Sequence, residues 1–312
     1  MPSWADPTPA ADATIDVLGG TTTVVAVAAS DPDTADVVAI EVRGLPTYAT
    51  VATTAGNPAT ASIVVAPPPA AHGVVPLTVV ARDGSGNAVE RSLILQVSVD
   101  TRPFSLVGPG GLARWGYLLD AATARAAPAR SSRAVARLAT GTPLGQPNLV
   151  LALEGRRDAE GRLWVRVRLP VLPNGSTGWI ERSALDSLHV VHTHLVVDRA
   201  FLTATLFRDE RPVFAAPVGV GRAASPTPAG EFYVREKLGG FANPFYGPIA
   251  FGTSGRSPVF TDWPGGGFIG IHGTNQPRLI PGRVSHGCIR MRNSAILRLA
   301  KLMPLGTPVT IR

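Results

Sequence analysis

The chain has 312 residues, a formal net charge of +7 and 45% hydrophobic residues, with Gly 33 and Pro 29. This length predicts two or three domains, and the hydrophobic content excludes a disordered protein. Arginine supplies most of the positive charge, and neither a basic helix nor a nucleic-acid-binding motif accompanies it, so we expect no nucleic-acid partner. The Gly and Pro content, together with many Val/Thr stretches, favours short strands and turns.

The first residues, "MPSWADPTPA", lack the charged start and the apolar stretch of a signal peptide. The longest early apolar run lies in "TTTVVAVAAS" and is far shorter than the ~20 residues that a membrane helix needs. These features predict either a protein that is not exported or one whose leader is missing from this sequence.

Residues 1–100 are predicted to form a β-sandwich, because strand-like runs alternate with turn clusters such as "DPDTAD" and "DGSGN". The order of these runs resembles bacterial immunoglobulin-like and cadherin-like repeats, which implies a spacer or an adhesive module. Asp31, Asp33 and Asp83 are candidate calcium ligands at strand ends. Turn formation explains the same residues, since aspartate favours tight turns. The predicted strands are "TTTVVAVAAS", "VVAIEVRG", "ATASIVVA", "VVPLTVVARD" and "RSLILQVSV".

Residues 101–111 are predicted to be a linker by their Pro and Gly content. The following segment, 112–189, contains "LWVRVR" and "TGWIERSAL" and resembles a bacterial SH3-like domain. Such barrels often bind cell-wall peptides, but many act only as connectors. Trp164 and Trp179 are expected to be core residues of the barrel and not a ligand platform.

Residues 190–312 are predicted to form a third, β-rich domain. "HLVVDRAFLTATLFRDERPVFAAPVGVG" predicts a meander with a hairpin at "RDERP", and "ASPTPAGEFYV" predicts a rigid turn before another strand. One helix is expected at "SAILRLAKLM", capped by Asn293 and with Ile296, Leu297 and Ala300 on one face. "GTPVTIR" predicts a closing strand.

A histidine cluster begins this third domain, with His189, His192 and His194 in an H-x-x-H-x-H pattern. In a strand, His192 and His194 would share a face while His189 would point to the other. We therefore expect no metal site at these three residues.

The only cysteine, Cys288, lies in "RVSHGCIRM", two residues after His286, and His272 ends an apolar strand-like run in "GFIGIHGT". Three hypotheses compete: a thiol acyl-transfer site, a zinc site formed by Cys288, His286 and His272, and a buried structural cysteine. Acyl transfer needs a base for the thiol and donors for the oxyanion. Gly287 permits a sharp turn that directs the N–H groups of Gly287 and Cys288 to one point, and Ser285 is expected to hydrogen-bond an imidazole.

"IHGT" followed by "SHGCIRM" resembles the signature of bacterial L,D-transpeptidases. "GRAASPTPAGEFYV" and "GTPVTI" resemble their upstream turn and last strand. The resemblance covers about 190–312, and the two preceding domains are of kinds that such enzymes often carry. The expected fold is therefore mainly β: an immunoglobulin-like sandwich, an SH3-like barrel and a β-rich L,D-transpeptidase catalytic domain with one helix after the catalytic cysteine.

The resemblance also implies roles for individual residues. It makes Cys288 the nucleophile and His272 its base, and His286, Gly287 and Cys288 the source of oxyanion-stabilising N–H groups. Ser285 and Arg290 occupy positions of the motif, and Arg290 would orient the loop or meet a substrate carboxylate. Gly273 and Thr274 would shape the opposite wall of the site. In the lid segment "GGFANPFYGPIAFGTSGRSPVF", where the similarity is weakest, Tyr246 or Phe245 is expected either to cover the substrate or to have a packing role.

The implied reaction joins peptidoglycan stem peptides by a 3→3 cross-link, through a thioester on Cys288, without metal or cofactor. Members of this type are also acylated by carbapenems, and the expected location is outside the cytoplasm, in the periplasm or the cell wall, with cell-wall contact through the N-terminal domains. In that case the leader is missing from this sequence. Two alternatives remain open: an L,D-carboxypeptidase that trims stem tetrapeptides, and a wall-binding protein without activity.

Overall fold

The computed structural model describes residues 1–241, 243–260 and 266–312. In this part of the chain the fold is mainly β with one α-helix, as predicted. None of the described helices is long and apolar enough to span a bilayer. The chain divides into two units, one of residues 1–102 with 157–162 and one of residues 103–156 with 163–312.

The first unit is a β-sandwich. Its two four-stranded sheets have the orders β1-β3-β6-β5 and β2-β8-β7-β4, and one apolar core contains residues of both sheets, among them Val27, Ile63 and Leu93. The five predicted strands are confirmed, and three further short strands were not predicted. The strands are Ser3–Ala5 (β1), Ala13–Leu18 (β2), Thr23–Ser30 (β3), Ala39–Arg43 (β4), Ala49–Thr54 (β5), Ala59–Val65 (β6), Gly73–Arg82 (β7) and Ala88–Ser98 (β8).

The aspartates of this unit are arranged differently from the prediction. Carboxylate oxygens of Asp31, Asp36 and Asp83 lie within 4.8 Å of one another. Asp33 is not among them, because its carboxylate accepts the N–H of Ala35 in the turn. The alternative of turn formation therefore accounts for Asp33, and the cluster contains Asp36, which was not predicted.

The second unit begins with an eight-stranded barrel-like sheet in the order β12-β11-β15-β14-β13-β10-β16, with β9 paired to β13. Alternation of buried and exposed side chains is seen in most of the strand "LWVRVR": Val165 and Val167 are buried, while Arg166 and Arg168 are more exposed. Trp164 and Trp179 are buried, as expected. The strands are Phe104–Ser105 (β9), Ala113–Tyr117 (β10), Ala122–Arg125 (β11), Ala134–Leu138 (β12), Leu149–Arg157 (β13), Leu163–Arg168 (β14), Thr177–Glu181 (β15) and His189–Val191 (β16); short 3₁₀ turns span Pro109–Gly111 and Arg182–Ala184.

A ten-stranded sheet follows in the order β19-β18-β17-β26-β21-β22-β23-β25-β20-β24. Its meander turns at Asp209 and Glu210, whose positive φ angles are those of a tight two-residue hairpin. The strands are Thr193–Asp198 (β17), Thr203–Arg208 (β18), Arg211–Pro217 (β19), Gly219–Gly221 (β20), Gly230–Gly239 (β21), Ile249–Arg256 (β22), Phe268–His272 (β23), Gly282–Ser285 (β24), Ile289–Arg290 (β25) and Pro308–Ile311 (β26); 3₁₀ turns span Pro244–Tyr246 and Pro277–Leu279.

The α-helix, Asn293–Leu302 (α1), follows the cysteine segment as predicted, but two details of the prediction were wrong. Its buried face contains Ile296 and Leu299, whereas Leu297 is 42% exposed, because a position one residue from Ile296 is turned about 100° around the helix. Asn293 does not cap the helix: Arg292 is the N-cap residue and makes no side-chain capping bond.

The barrel and the ten-stranded sheet share a small apolar core. Trp115 and Leu149 of the barrel pack with Tyr233 of β21, and the Tyr233 hydroxyl donates to the Leu149 carbonyl at 3.2 Å. Burial raises the pKa of Tyr233 to about 12. Two more bonds cross this boundary: Arg235 Nη2 donates to Asn148 Oδ1 at 3.0 Å, and Thr142 Oγ1 donates to Glu236 Oε2 at 2.7 Å.

We predict that Gly306→Ala destabilises the second unit strongly. Gly306 has φ +76°, and a Cβ there would overlap the ring of Trp115, which is large and rigid. Gly175→Ala is the matched control, because Gly175 has φ +86° and open space around its Cβ position. The control is expected to cost about 1–2 kcal/mol from backbone conformation alone, and Gly306→Ala about 1–3 kcal/mol more from overpacking. Equal losses in thermal unfolding of the two variants would contradict tight packing at this joint.

Candidate functional site

Strand pairing brings Cys288 and His272 together. β23 and β25 are parallel neighbours, with Ile271 opposite Ile289, so the residue before β25 lies beside Gly270 of β23. The N–H of Gly270 donates to Cys288 Sγ at 3.4 Å. A Cβ at Gly270 would lie 3.7 Å from both Cys288 Sγ and Cδ2 of His272, so the two side chains flank the space that this glycine leaves open.

The backbone determines the tautomer of His272. Its Nδ1 is 2.6 Å from the carbonyl oxygen of Gly273, and since a carbonyl only accepts, Nδ1 carries the proton. Nε2 is then the basic nitrogen. The imidazole is 2% exposed and lies against the rings of Tyr246 and Phe245, with centroids 5.2 and 6.0 Å away. Burial lowers the pKa of His272 to about 4, so the ring is neutral at pH 7.

Burial also raises the pKa of the Cys288 thiol, although the Gly270 N–H and Arg290 favour the thiolate. At neutral pH the resting site therefore holds a neutral thiol beside a neutral imidazole. Both residues line one pocket of about 440 Å³, together with Phe260, Phe268 and Arg290. Cys288 and His272 thus share one cleft, and a sealed apolar core around the cysteine is excluded.

The turn before the cysteine is stabilised by Ser285 in a way that the sequence did not predict. Ser285 Oγ donates to the carbonyl of Cys288 and accepts the N–H of Gly287 at 3.1 Å. Neither bond reaches an imidazole, so the predicted role of Ser285 as a histidine partner was wrong. The Gly287 N–H is engaged by this hydroxyl, so the prediction that it converges with the Cys288 N–H on one point was also wrong. Gly287 has φ +120°, which confirms the predicted sharp turn.

The "PTPAG" turn supports the same segment from the other side. Thr227 Oγ1 donates to the carbonyl of Gly287 at 2.7 Å and accepts the N–H of Gly221 at 2.8 Å. A Cβ at Gly221 would overlap the backbone of this turn. Through these hydrogen bonds the "PTPAG" turn stabilises the loop that carries Cys288. The spacing of the two prolines predicted a rigid turn. The contact with Gly287, 60 residues later in the chain, could not be predicted from residues near the turn.

His286 lies at the pocket rim. It contacts Arg222, whose Nη2 donates to His286 Nε2, and its ring meets Phe260 edge-on with centroids 5.7 Å apart. Burial, then the charges of Arg222 and Arg290, lower the pKa of His286. The structure brings His272 to Cys288 but does not place His286 with them at metal-ligand distances. The zinc hypothesis therefore has no support in the described parts of the chain.

Arg290 and Thr274 lie near the reactive pair, Arg290 on the strand that follows Cys288 and Thr274 just after His272. Arg290 is 4% exposed and its guanidinium lies 4.3 Å above the Phe245 ring, on the pocket lining. Thr274 is buried, and its N–H donates to Asn293 Oδ1 at 2.8 Å. Asn293, predicted as a helix cap, instead holds the strand end that carries His272.

The three histidines of the H-x-x-H-x-H pattern have separate partners. His189 Nε2 is 3.1 Å from Asp186 Oδ2, His192 Nδ1 is 3.1 Å from Asp209 Oδ1, and His194 Nε2 is 2.7 Å from Thr310 Oγ1. These dispersed contacts give no shared ligand position.

Comparisons with known proteins concern the domain that holds this site. The YkuD family, described as the L,D-transpeptidase catalytic domain, matches residues 192–311. A Bacillus subtilis relative named as the L,D-transpeptidase YkuD is 35% identical over 127 residues, which are 41% of this chain and 70% of that protein. Another, YqjB, is 32% identical over 126 residues, covering 38% and 70%. The NMR structure of the catalytic domain of an E. faecium L,D-transpeptidase acylated by ertapenem is 26% identical, covers 38% of this chain and 96% of that one, and has a TM-score of 0.29. The chain therefore belongs to the L,D-transpeptidase family, through the β-rich domain that holds Cys288 and His272.

Proposed function

We propose that this protein forms 3→3 cross-links between peptidoglycan stem peptides, with Cys288 as nucleophile and His272 as base. The observation that carries the proposal is the arrangement around Gly270. The Cys288 thiol and an imidazole with basic Nε2 border the same open space, and a backbone N–H points to the sulfur. A nucleophile, a base and an orienting carbonyl for that base are what thiol acyl transfer requires.

In the first step, Cys288 Sγ attacks the carbonyl of the third stem residue, and the thiol proton passes to His272 Nε2. The C–N bond to the terminal D-alanine breaks, and the leaving amine takes the proton from the imidazolium. In the second step, an amine of another stem attacks the thioester, the C–S bond breaks, and the thiol is regenerated. No electrons enter or leave, so the residues suffice without a redox partner.

The oxyanion of each tetrahedral intermediate needs donors. We propose the N–H groups of Cys288 and His286, because the Gly287 N–H is already bonded to Ser285. The raised pKa of Cys288 and the lowered pKa of His272 make proton transfer concurrent with attack, since a preformed thiolate–imidazolium pair is unfavourable in this buried setting.

Other residues are proposed to shape the substrate channel. We propose that Arg290, which lines the pocket, meets a substrate carboxylate, and that Tyr246, whose ring lies against the imidazole, helps to cover the site. Gly273 orients His272 through its carbonyl, and Thr274 is held by Asn293. We also propose that the chain consists of domains 1–100 and 112–189, joined by a linker at 101–111, and of a catalytic domain at 190–312. The proposed location is outside the cytoplasm, where the N-terminal domains contact the cell wall. Carbapenems are the proposed covalent inhibitors.

The competing activity is hydrolysis, in which water resolves the same thioester. Purified protein incubated with disaccharide tetrapeptide is expected to yield cross-linked dimers and free D-alanine, measured by mass spectrometry. Tripeptide product without dimers would establish a carboxypeptidase instead. Unchanged substrate would leave only the non-catalytic wall-binding role.

A further inference from the structure

A second pocket also borders Cys288. It has a volume of about 750 Å³ and shares Cys288, His272 and Tyr246 with the first pocket. Its apolar walls include Leu238 and Phe241. We refer to it as the Glu236 pocket, because among the residues that the structure describes Glu236 is the one carboxylate in its lining.

Two glycines connect Glu236 to the nucleophile across the sheet. Glu236 of β21 pairs with Gly252 of β22, and Gly252 pairs with Gly270 of β23, beside Cys288. A Cβ at Gly252 would lie 2.5 Å from Glu236 Oε1, so the carboxylate folds over this glycine toward Gly270. Directly paired positions have Cβ atoms about 5 Å apart. The carboxylate therefore lies on the order of 5–10 Å from Cys288 Sγ, across a strip of sheet without side chains.

The contacts of the Glu236 carboxylate in the described residues are neutral. Glu236 is 5% exposed, and its Oε2 accepts a hydrogen bond from Thr142 of the barrel loop. Across the described segments of the chain, Glu236 has no ion pair with Lys, Arg or His. A buried carboxylate with one neutral donor is costly, so a cationic ligand is the group that such a pocket suits.

The proposed reaction supplies such a cation. In a 3→3 cross-link the attacking amine belongs to the side chain of a third stem residue, because its main-chain nitrogen is already in a peptide bond. The donor stem has the same third residue, and its side-chain amine is not consumed when its carbonyl is attacked. Standard bond lengths place that amine roughly 6 Å from the residue's Cα, within the separation between Cys288 and Glu236.

On the basis of the proposed function, we propose that Glu236 binds the side-chain ammonium of the donor's third residue, while Leu238 and Phe241 contact its methylene groups. Glu236 is thus a specificity-determining residue for the acyl donor. Thr142 holds one carboxylate oxygen, which leaves the other directed along the glycine strip.

The test compares two tetrapeptide donors, one with a free side-chain amine at the third residue and one with that amine acetylated. Single-turnover release of D-alanine is measured for each, since the acetylated donor cannot act as acceptor. The wild type is expected to prefer the free amine about 10- to 100-fold, the range of a charge-assisted hydrogen bond. Glu236→Gln, which still accepts from Thr142, is expected to bring the ratio of the two rates close to one. Misfolding lowers both rates together, so the ratio controls for it.

Thr142→Val is the matched variant, because it removes the bond from the barrel loop but keeps the charge. We expect it to retain a preference of several-fold for the free amine. The role of Glu236 is overturned if the preference for the free amine survives Glu236→Gln, or if the wild type cleaves both donors at equal rates. Either result leaves the proposed transpeptidase function intact. Failure of the wild type to release D-alanine from either donor refutes the proposed function itself.

Discussion

Cys288→Ala is expected to abolish covalent modification by a carbapenem. Intact-mass analysis of the wild type should show the addition of one inhibitor molecule, because Cys288 Sγ opens the β-lactam ring and retains the acyl group. The variant should show no addition, since Cys288 is the only cysteine in the chain. The expected loss is from complete to undetectable labelling, the largest effect that we predict.

A serine hydroxyl in the same pocket provides a matched control. Ser257 lines the same pocket as Cys288, and its Oγ accepts the N–H groups of Val259 and Phe260. Ser257→Ala should remain acylated. If Cys288→Ala still gains the inhibitor mass, or if Ser257→Ala loses it, the nucleophile has been assigned to the wrong residue.

His272→Gln is expected to slow acylation of Cys288 about 10²- to 10⁴-fold at pH 7, the usual contribution of a general base. The reason is that the raised pKa of Cys288 leaves the thiol protonated, and glutamine cannot accept its proton. The acylation rate of the variant should rise roughly tenfold per pH unit above neutrality, because without the imidazole the thiolate forms only when the Cys288 thiol loses its proton to solvent. His192→Gln, at an exposed histidine paired with Asp209, is the control and should follow the wild type. A purely structural role of His272 would give a slow variant without this pH slope.

The pH profile of the wild type follows from the lowered pKa of His272. The neutral imidazole is the active base, and it is fully present above its pKa and lost as the pH falls through about 4. The acylation rate should therefore remain level from pH 7 to about 5 and decline only near pH 4. A histidine with its ordinary pKa would give a decline centred near 6.5. Stopped-flow measurement of carbapenem acylation distinguishes the two, and a midpoint near 6.5 would show that burial does not lower the pKa of His272.

The sequence predicted the chemical groups of the site better than their contacts. Cys288 and His272 were identified because their residue types and motifs are specific for thiol chemistry, and alternation of buried and exposed residues predicted most strands. The hydrogen bonds of Ser285 were not predicted, because a hydroxyl next to a histidine in sequence has several partners within reach and the turn geometry selects among them. Asn293 was likewise assigned to the nearest helix start although its partner is Thr274.

Glu236 was invisible in the sequence for a different reason. It lies in a strand between charged neighbours, in "VREKL", and gives no local signal of a pocket. The position of Glu236 near the nucleophile depends on the pairing of Glu236 with Gly252 and of Gly252 with Gly270. It also depends on the hydrogen bond from Thr142, 94 residues earlier in the chain. Such relations between distant segments follow from sheet order, which periodicity within a segment does not encode.

The apolar core shared by the barrel and the catalytic sheet limits where the chain can be cut to give a stable catalytic fragment. A fragment starting at residue 190 would carry Tyr233 and Leu305 without the Trp115 and Leu149 that cover them, and Glu236 without Thr142. A fragment that preserves these contacts must therefore retain the barrel together with the catalytic sheet.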